Sequence, residues 1–240
     1  MTDSYVLPFA QNTTVSFPSD LVYTQYKNIT ISEGFTICPN SCFTKFRNAV
    51  NISLPDSLIS IGDGFIESTR VKYIKIPKNV TTLSSYNPFD NTPSLEYVDV
   101  DPENKYFCSV DGVLFSKDMK TLIYFPASKN ITLYIVPNGV INISFASLSR
   151  LVYLKNIIFP QSVLYFDEQI FYKCSYLESV TVFRDYRQNK IVHGQHNFYL
   201  SNLNISDIKY IYSLNPYHTC MNTFYLTTQF FSSFPIFIAI

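Results

Sequence analysis

The stretch Ile157-Ile158-Phe159-Pro160-Gln161-Ser162-Val163, with Phe171-Tyr172-Lys173-Cys174-Ser175-Tyr176-Leu177 and Val180-Thr181-Val182-Phe183 after it, decides the fold. An apolar pair at alternate positions, often followed by proline, opens it, and the same punctuation recurs along the chain. It reads Ile52-Ser53-Leu54-Pro55, Ile74-Lys75-Ile76-Pro77 and Tyr134-Ile135-Val136-Pro137, and without proline Ile29-Thr30-Ile31-Ser32 and Val98-Asp99-Val100-Asp101. The steps are 23 from Ser32 to Pro55, then 22 to Pro77 and 24 to Asp101; beyond a break they are 23 from Pro137 to Pro160 and 23 again to Phe183. With the proline as zero, the slots at +3, +6, +11, +17, +20 and +22 hold Val163, Phe166, Phe171, Leu177, Val180 and Val182. One unit earlier they hold Val140, Ile143, Leu148, Leu154, Ile157 and Phe159.

A fixed period of this length is the mark of a repeat architecture. Alternating apolar residues make a short strand with two side chains facing inward. The proline ends the strand, because it has no N–H for the ladder. The +3 and +6 residues turn the coil inward again, and the +11 residue fills its back. No unit buries its apolar face alone, so neighbours stack. The expected fold is a right-handed solenoid of short parallel strands near 29–31, 52–54, 74–76, 98–100, 134–136, 157–159 and 180–182. Its backs are irregular or 3-10, with no long helix.

The run from Phe159 to Leu177 resembles the BspA-like class of leucine-rich repeats. The segment Val110-Asp111-Gly112-Val113-Leu114-Phe115-Ser116-Lys117-Asp118, ending in Leu122-Ile123-Tyr124-Phe125-Pro126, is similar to an element that recurs in that family. The resemblance covers about 29–183. It implies a leucine-rich-repeat solenoid and a surface antigen of a parasitic protist or mucosal bacterium, with adhesin-like binding of host proteins or cells.

Around the repeat, residues 1–28 are expected to cap the open first coil, with Val15-Ser16-Phe17-Pro18 as a worn copy. Residues 184–240 lose the step and are read as a degenerate repeat, C-terminal cap or tail. Inside 29–183, residues 102–126 interrupt the rhythm as one β-hairpin insertion: Asp111-Gly112 is a hairpin signal. Val113-Leu114-Phe115 is expected to pair with Leu122-Ile123-Tyr124-Phe125 across the 116–120 turn, and the second run reads equally as a solenoid strand.

Composition narrows the function. Of 240 residues, 47% are hydrophobic and 15% charged, so the chain can bury a core. Eighteen cations balance eighteen anions, which leaves no basic footprint for nucleic acid. The N-terminal Met1-Thr2-Asp3-Ser4-Tyr5 has neither the charged nor the apolar region of a secretory signal. The apolar run 230–240 contains Pro235 and is shorter than the roughly 20 residues a spanning helix needs. Membrane association is therefore left open, and a cell-surface location follows from the resemblance alone. Cys38, Cys42, Cys108, Cys174 and Cys220 have irregular spacings that imply no disulfide framework. His193, His196 and His218 with Cys220 match no common zinc spacing. Cys38, Cys42 and Cys174 occupy core slots, where an unpaired cysteine packs as a small hydrophobe. No glycine-rich phosphate loop follows a strand, and the carboxylates show no pairing. The expectation is a non-enzyme without cofactor or metal.

The outward slots +19 and +21 define a candidate face. Up the stack, +19 holds Asn28, Asn51, Tyr73, Tyr97, Leu133, Asn156 and Ser179. The +21 slot holds Thr30, Ser53, Lys75, Asp99, Ile135, Ile158 and Thr181. The ends are small and polar; the middle is apolar and aromatic. Tyr73, Lys75, Tyr97, Asp99, Leu133, Ile135 and Ile158 are the candidate partner-binding residues, an apolar patch with a polar rim being the usual mark of a contact site. The alternative is that the 102–126 hairpin folds over this patch. Asn12, Asn28, Asn51, Asn79, Asn130, Asn142 and Asn204 head Asn-x-Ser/Thr sequons and are candidate glycan acceptors in a secreted chain. Two readings follow: a non-catalytic scaffold that binds a protein or cell-surface ligand through its concave sheet, or an intracellular structural or interaction protein, including a decayed copy without ligand.

Overall fold

A computed structural model describes residues 3–8, 13–19, 21–185, 192–193 and 208–213. They form a β-solenoid of about eight turns with essentially no helix; Tyr23–Gln25 makes one 3-10 turn. A first sheet carries the strands read from the repeat. It comes in three blocks: β1 (Ser4–Leu7), β2 (Asn28–Ile31) and β4 (Asn51–Ser53); then β6 (Tyr73–Ile76) and β8 (Tyr97–Val100); then β12 (Leu133–Ile135), β14 (Asn156–Phe159), β16 (Ser179–Asp185) and β18 (Ile208–Ser213). All pairs are parallel and in chain order, with inner residues in register: Ile29 beside Ile52, Ile74 beside Val98, Ile157 beside Val180. The strand β1 lies on β2 with Tyr5 beside Ile29 and Leu7 beside Ile31, so the chain before residue 28 continues the first sheet.

A second face of the coil also carries sheet, in two blocks, one of three strands and one of six, and the period did not reveal it. The +6 residues Cys38, Ile61, Leu83, Ile143 and Phe166 lie on two-residue strands: β3 (Ile37–Cys38), β5 (Ser60–Ile61), β7 (Thr82–Leu83), β13 (Asn142–Ile143) and β15 (Tyr165–Phe166), with β17 (Val192–His193) after them. The expected simple inward turn is a parallel ladder of its own. After the proline has ended one ladder, two extended residues are enough to start another. Ser60 N–H donates to Thr36 O at 3.0 Å and Gly62 N–H to Cys38 O at 2.8 Å.

The backs between the sheets are series of turns. Left-handed residues recur at +9 and +13: Gly64 and Ser68, Ala146 and Arg150, Gln169 and Lys173. Each reverses the chain locally, and i to i+3 bonds follow, such as Glu67 N–H to Gly64 O at 2.9 Å and Tyr172 N–H to Gln169 O at 2.9 Å. Bonds also run from coil to coil, as from Arg150 N–H to Tyr172 O at 2.7 Å.

The insertion is a three-stranded antiparallel meander of β9 (Phe107–Val110), β10 (Val113–Ser116) and β11 (Thr121–Tyr124). The expected pairing is present, with Leu114 beside Tyr124, a register shift, and Phe115 beside Leu122. The run Thr121–Tyr124 is also a solenoid strand, but of the second sheet, where it pairs in parallel with β13. Strand β10 is buried on both faces: Leu114 packs into a core that includes Ile29, Ile74 and Phe89, and Val113 and Phe115 pack into a separate core with Ile157, Phe159 and Phe171. Strand β11 likewise gives Tyr124 to the first core and Leu122 to the second, so the solenoid has two cores with the meander as their partition.

Candidate partner-binding face

The outward residues of the first sheet stand in the rungs that the repeat implies, within each block. Tyr73 lies beside Tyr97 and Lys75 beside Asp99; Leu133 lies beside Asn156 and Ile135 beside Ile158. The rings of Tyr73 and Tyr97 stack at 5.7 Å and 17°. The Tyr73 hydroxyl donates to Asp99 Oδ2 at 2.7 Å. Its phenol is pushed up to about 12, first by loss of solvent around it and then by the Asp99 carboxylate. Lys75 pairs with Asp101 at 2.9 Å instead of Asp99. That hydrogen bond raises the Lys75 ammonium and holds the Asp101 carboxyl below the usual carboxylate range. At the ends, side-chain amides and hydroxyls tie rung to rung: Asn51 Nδ2 donates to Asn28 Oδ1 at 2.7 Å and Ser179 Oγ to Asn156 Oδ1 at 2.6 Å.

The insertion does not fold over these residues. It divides them. The Asp111-Gly112 turn is wedged at the edge of β8, where Val98 N–H donates to Gly112 O at 3.1 Å and Ser109 Oγ to Val98 O at 2.6 Å. Gly112 has φ +77°, and a Cβ there would lie 2.5 Å from the Tyr97 ring, so only glycine permits the approach. Lys129 fastens the tip. Its buried Nζ donates to Asp111 O at 2.6 Å, pairs with the Asp111 carboxylate at 3.0 Å and lies 5.9 Å from the Tyr97 ring centre. Tyr97 is consequently half-buried, whereas Tyr73 and Ile135 are 51% and 55% exposed. The seven candidate residues form two groups: Tyr73, Lys75, Tyr97 and Asp99 on one side of the tip, and Leu133, Ile135 and Ile158 on the other. The sequence marked Asp111-Gly112 as a turn, but neither its seat on Tyr97 nor the part played by Lys129 was singled out.

Among the sequons, Asn51, Asn79 and Asn130 are exposed; Asn51 Nδ2 donates to Asn28 Oδ1 at 2.7 Å, Asn79 Nδ2 to Asp56 O at 2.8 Å and Asn142 Nδ2 to Thr121 Oγ1 at 3.3 Å. Asn12 and Asn204 lie outside the described residues.

Cys38, Cys42, Cys108 and Cys174 are free thiols. Burial pushes Cys174 up to about 12 and also raises Cys38, so neither is poised as a thiolate nucleophile. Among the described residues no group of three or more His, Cys, Asp or Glu could hold a metal ion, and no helix is long and apolar enough to cross a membrane. His196, His218 and Cys220 lie outside the described residues.

The BspA type leucine rich repeat region matches residues 14–117 and 122–233 in six copies. No curated protein matches the chain. Among solved structures, the chain is similar to a leucine rich cell surface protein from Faecalibacterium prausnitzii A2-165, with 20% identity and a TM-score of 0.58 over 80% of this chain and 61% of that one. It is also similar to the pneumococcal vaccine antigen PcpA, with 22% identity and a TM-score of 0.53 over 76% and 66%. A leucine-rich repeat protein from Bacteroides ovatus ATCC 8483 gives 20% identity and a TM-score of 0.52 over 88% and 55%. The chain spans less than two thirds of each of these proteins, and at these identities the likeness is one of fold.

Proposed function

The chain belongs to the BspA-type leucine-rich-repeat family, and on that premise we propose that it is a non-catalytic scaffold of the surface-antigen or adhesin type, binding a protein or cell-surface ligand through the open face of its first sheet. One observation carries the reading: Tyr73 and Ile135 stay more than half exposed on a rigid parallel ladder, on either side of the tip that separates them. Large apolar side chains held in register and facing water are contact residues in waiting, and tyrosine is a favoured anchor at interfaces. Lys75 and Asp99 supply the polar margin. In this reading 29–183 is the repeat body, 1–28 its N-terminal cap, 184–240 a degenerate repeat, C-terminal cap or tail, and the exposed Asn130 is the best placed glycan acceptor.

Tyr97 is a poor site for the test, because it holds the Gly112 tip. The double variant Tyr73→Ser, Ile135→Ser leaves every core residue in place, and its melting curve should match that of the unaltered chain. Binding to immobilised matrix proteins and to host cells should weaken about 30-fold or more if these are anchor residues. Unchanged binding with retained folding removes this face from consideration. Absence of any binding by the unaltered chain favours the intracellular or ligand-free reading.

A further inference from the structure

On the back wall of the first coils lies an open groove of about 550 Å³, away from the face discussed above. The volume is within the range of small-molecule sites. Its walls mix polar groups with apolar surface. Its lining includes Tyr23 and Thr24, Ser41 and Thr44, the cations Lys45 and Arg47, and the carboxylate of Glu67. The tyrosine is rigid: its hydroxyl donates to Pro18 O at 2.7 Å, and its ring packs edge-on against Phe46 at 4.9 Å. Lys45 Nζ sits 5.0 Å from the centre of the same ring, which holds the ammonium at the groove.

The repeat supplies an internal control. Lys45 stands 13 residues after Ser32, and the same slot after Pro137 and Pro160 holds Arg150 and Lys173. Arg150 is spent within the fold, paired with Asp90 at 3.5 Å and 5.3 Å from the Tyr172 ring centre, whereas Lys173, 5.1 Å from that ring, rests on an aromatic face as Lys45 does on Tyr23. In the first coils, neither Lys45 nor Arg47 has a carboxylate of the described residues within 4.0 Å. The one carboxylate in the groove, Glu67, accepts from Asn91 Nδ2 at 3.0 Å. Two uncompensated cations, one acceptor and a row of hydroxyls match a sugar that carries an acid group. The cations take the acid, charge-assisted hydrogen bonds being the strong ones, and Glu67 and the hydroxyls take ring hydroxyls.

We propose that this groove is a binding site for an acidic saccharide, a sugar bearing carboxylate or sulfate. Calorimetry on the full chain tests it with three probes: a sulfated tetrasaccharide, its desulfated counterpart and inorganic sulfate. The sulfated sugar should bind about tenfold or more tightly than the desulfated one, with an affinity that falls as salt rises. The double variant Lys45→Ala, Arg47→Ala should lose about tenfold or more in affinity, whereas Lys155→Ala, which removes a cation outside the groove, should bind like the unaltered chain. Glu67→Gln keeps an acceptor for Asn91 and removes a like charge, so it should tighten binding. Circular dichroism checks that each variant is folded. Equal binding of the two sugars, an unaffected double variant, or inorganic sulfate matching the sulfated sugar would each overturn the proposal.

Discussion

The back wall of the first half of the solenoid is a row of rings; that of the second half is mostly branched aliphatic. Phe17, Phe43, Phe65, Phe89 and Tyr124 follow one another at 5.5, 6.3, 5.6 and 4.7 Å. Past the partition, Leu148 and Ile170 fill the wall, with Phe171 against Phe159 as a local pair. The two halves also differ in step. The ring half steps by 23, 22 and 24 residues, and the aliphatic half keeps 23. Phe43, Phe65 and Phe89 stand at +11, +10 and +12, yet each still meets the next. A ring is wide and attractive from its edge as well as its face, so it keeps contact when a coil gains or loses a residue. Leu and Ile reach less far and hold the wall only where the coils stay in step.

Cutting the partition should give the largest effect. Phe115→Ala removes a fully buried ring and is expected to cost about 3–5 kcal/mol. Because Leu114 on the same strand packs in the other core, amide exchange should quicken on both sides of the meander. Protection unchanged across residues 28–76 would show that the halves unfold independently. Next comes the joint itself. Gly112→Ala forces a Cβ onto the Tyr97 ring at a left-handed φ and should cost about 2–3 kcal/mol. Gly139→Ala, also left-handed at φ +94° but with its nearest neighbour at 3.9 Å, should cost only about 1 kcal/mol. Equal losses in a denaturant melt would mean that the tip is not seated on Tyr97.

The ring row can be probed more gently. Phe65→Leu should cost about 1–2 kcal/mol, more than Leu148→Met, a volume-conserving change in the aliphatic half that should stay below about 1 kcal/mol. A reversed order would refute the link between rings and irregular step. The smallest effect is acid sensitivity. Asp101 is held low by the Lys75 hydrogen bond and Glu33 by the Asp56 N–H, so both contribute stability that is present above the unfolded carboxylate range, about pH 4. It is lost as the pH falls through their lowered folded values. The denaturation midpoint should fall as the medium is acidified below about pH 4, and Lys75→Ala should flatten that fall.

Much of the first sheet was legible because its signal is dense. Two inward residues and a proline recur together, and Ile157 and Val180 land in register as the period requires. The Tyr73 and Tyr97 rung was legible for the same reason. The second sheet was hidden because one apolar residue per coil, such as Ile61 or Ile143, marks a two-residue strand and a turn equally well. The left-handed back positions were hidden because Ser68, Arg150, Gln169 and Lys173 occupy them without the glycine that would announce them. That the patch falls into two groups depends on Lys129 reaching Asp111 across 18 residues, a contact to which no local pattern points.

The double burial of strand β10 bears on how the molecule would yield to force. Pulled from one end, a stack of parallel coils peels one rung at a time, and each rung resists alone. At residues 113–116 the peeling front meets a strand bonded antiparallel along both edges, to β9 and β11, and wedged between two cores. Several bonds and both apolar contacts must then give way together. The meander is thus expected to act as a brake, passed only at a higher force than a single rung needs.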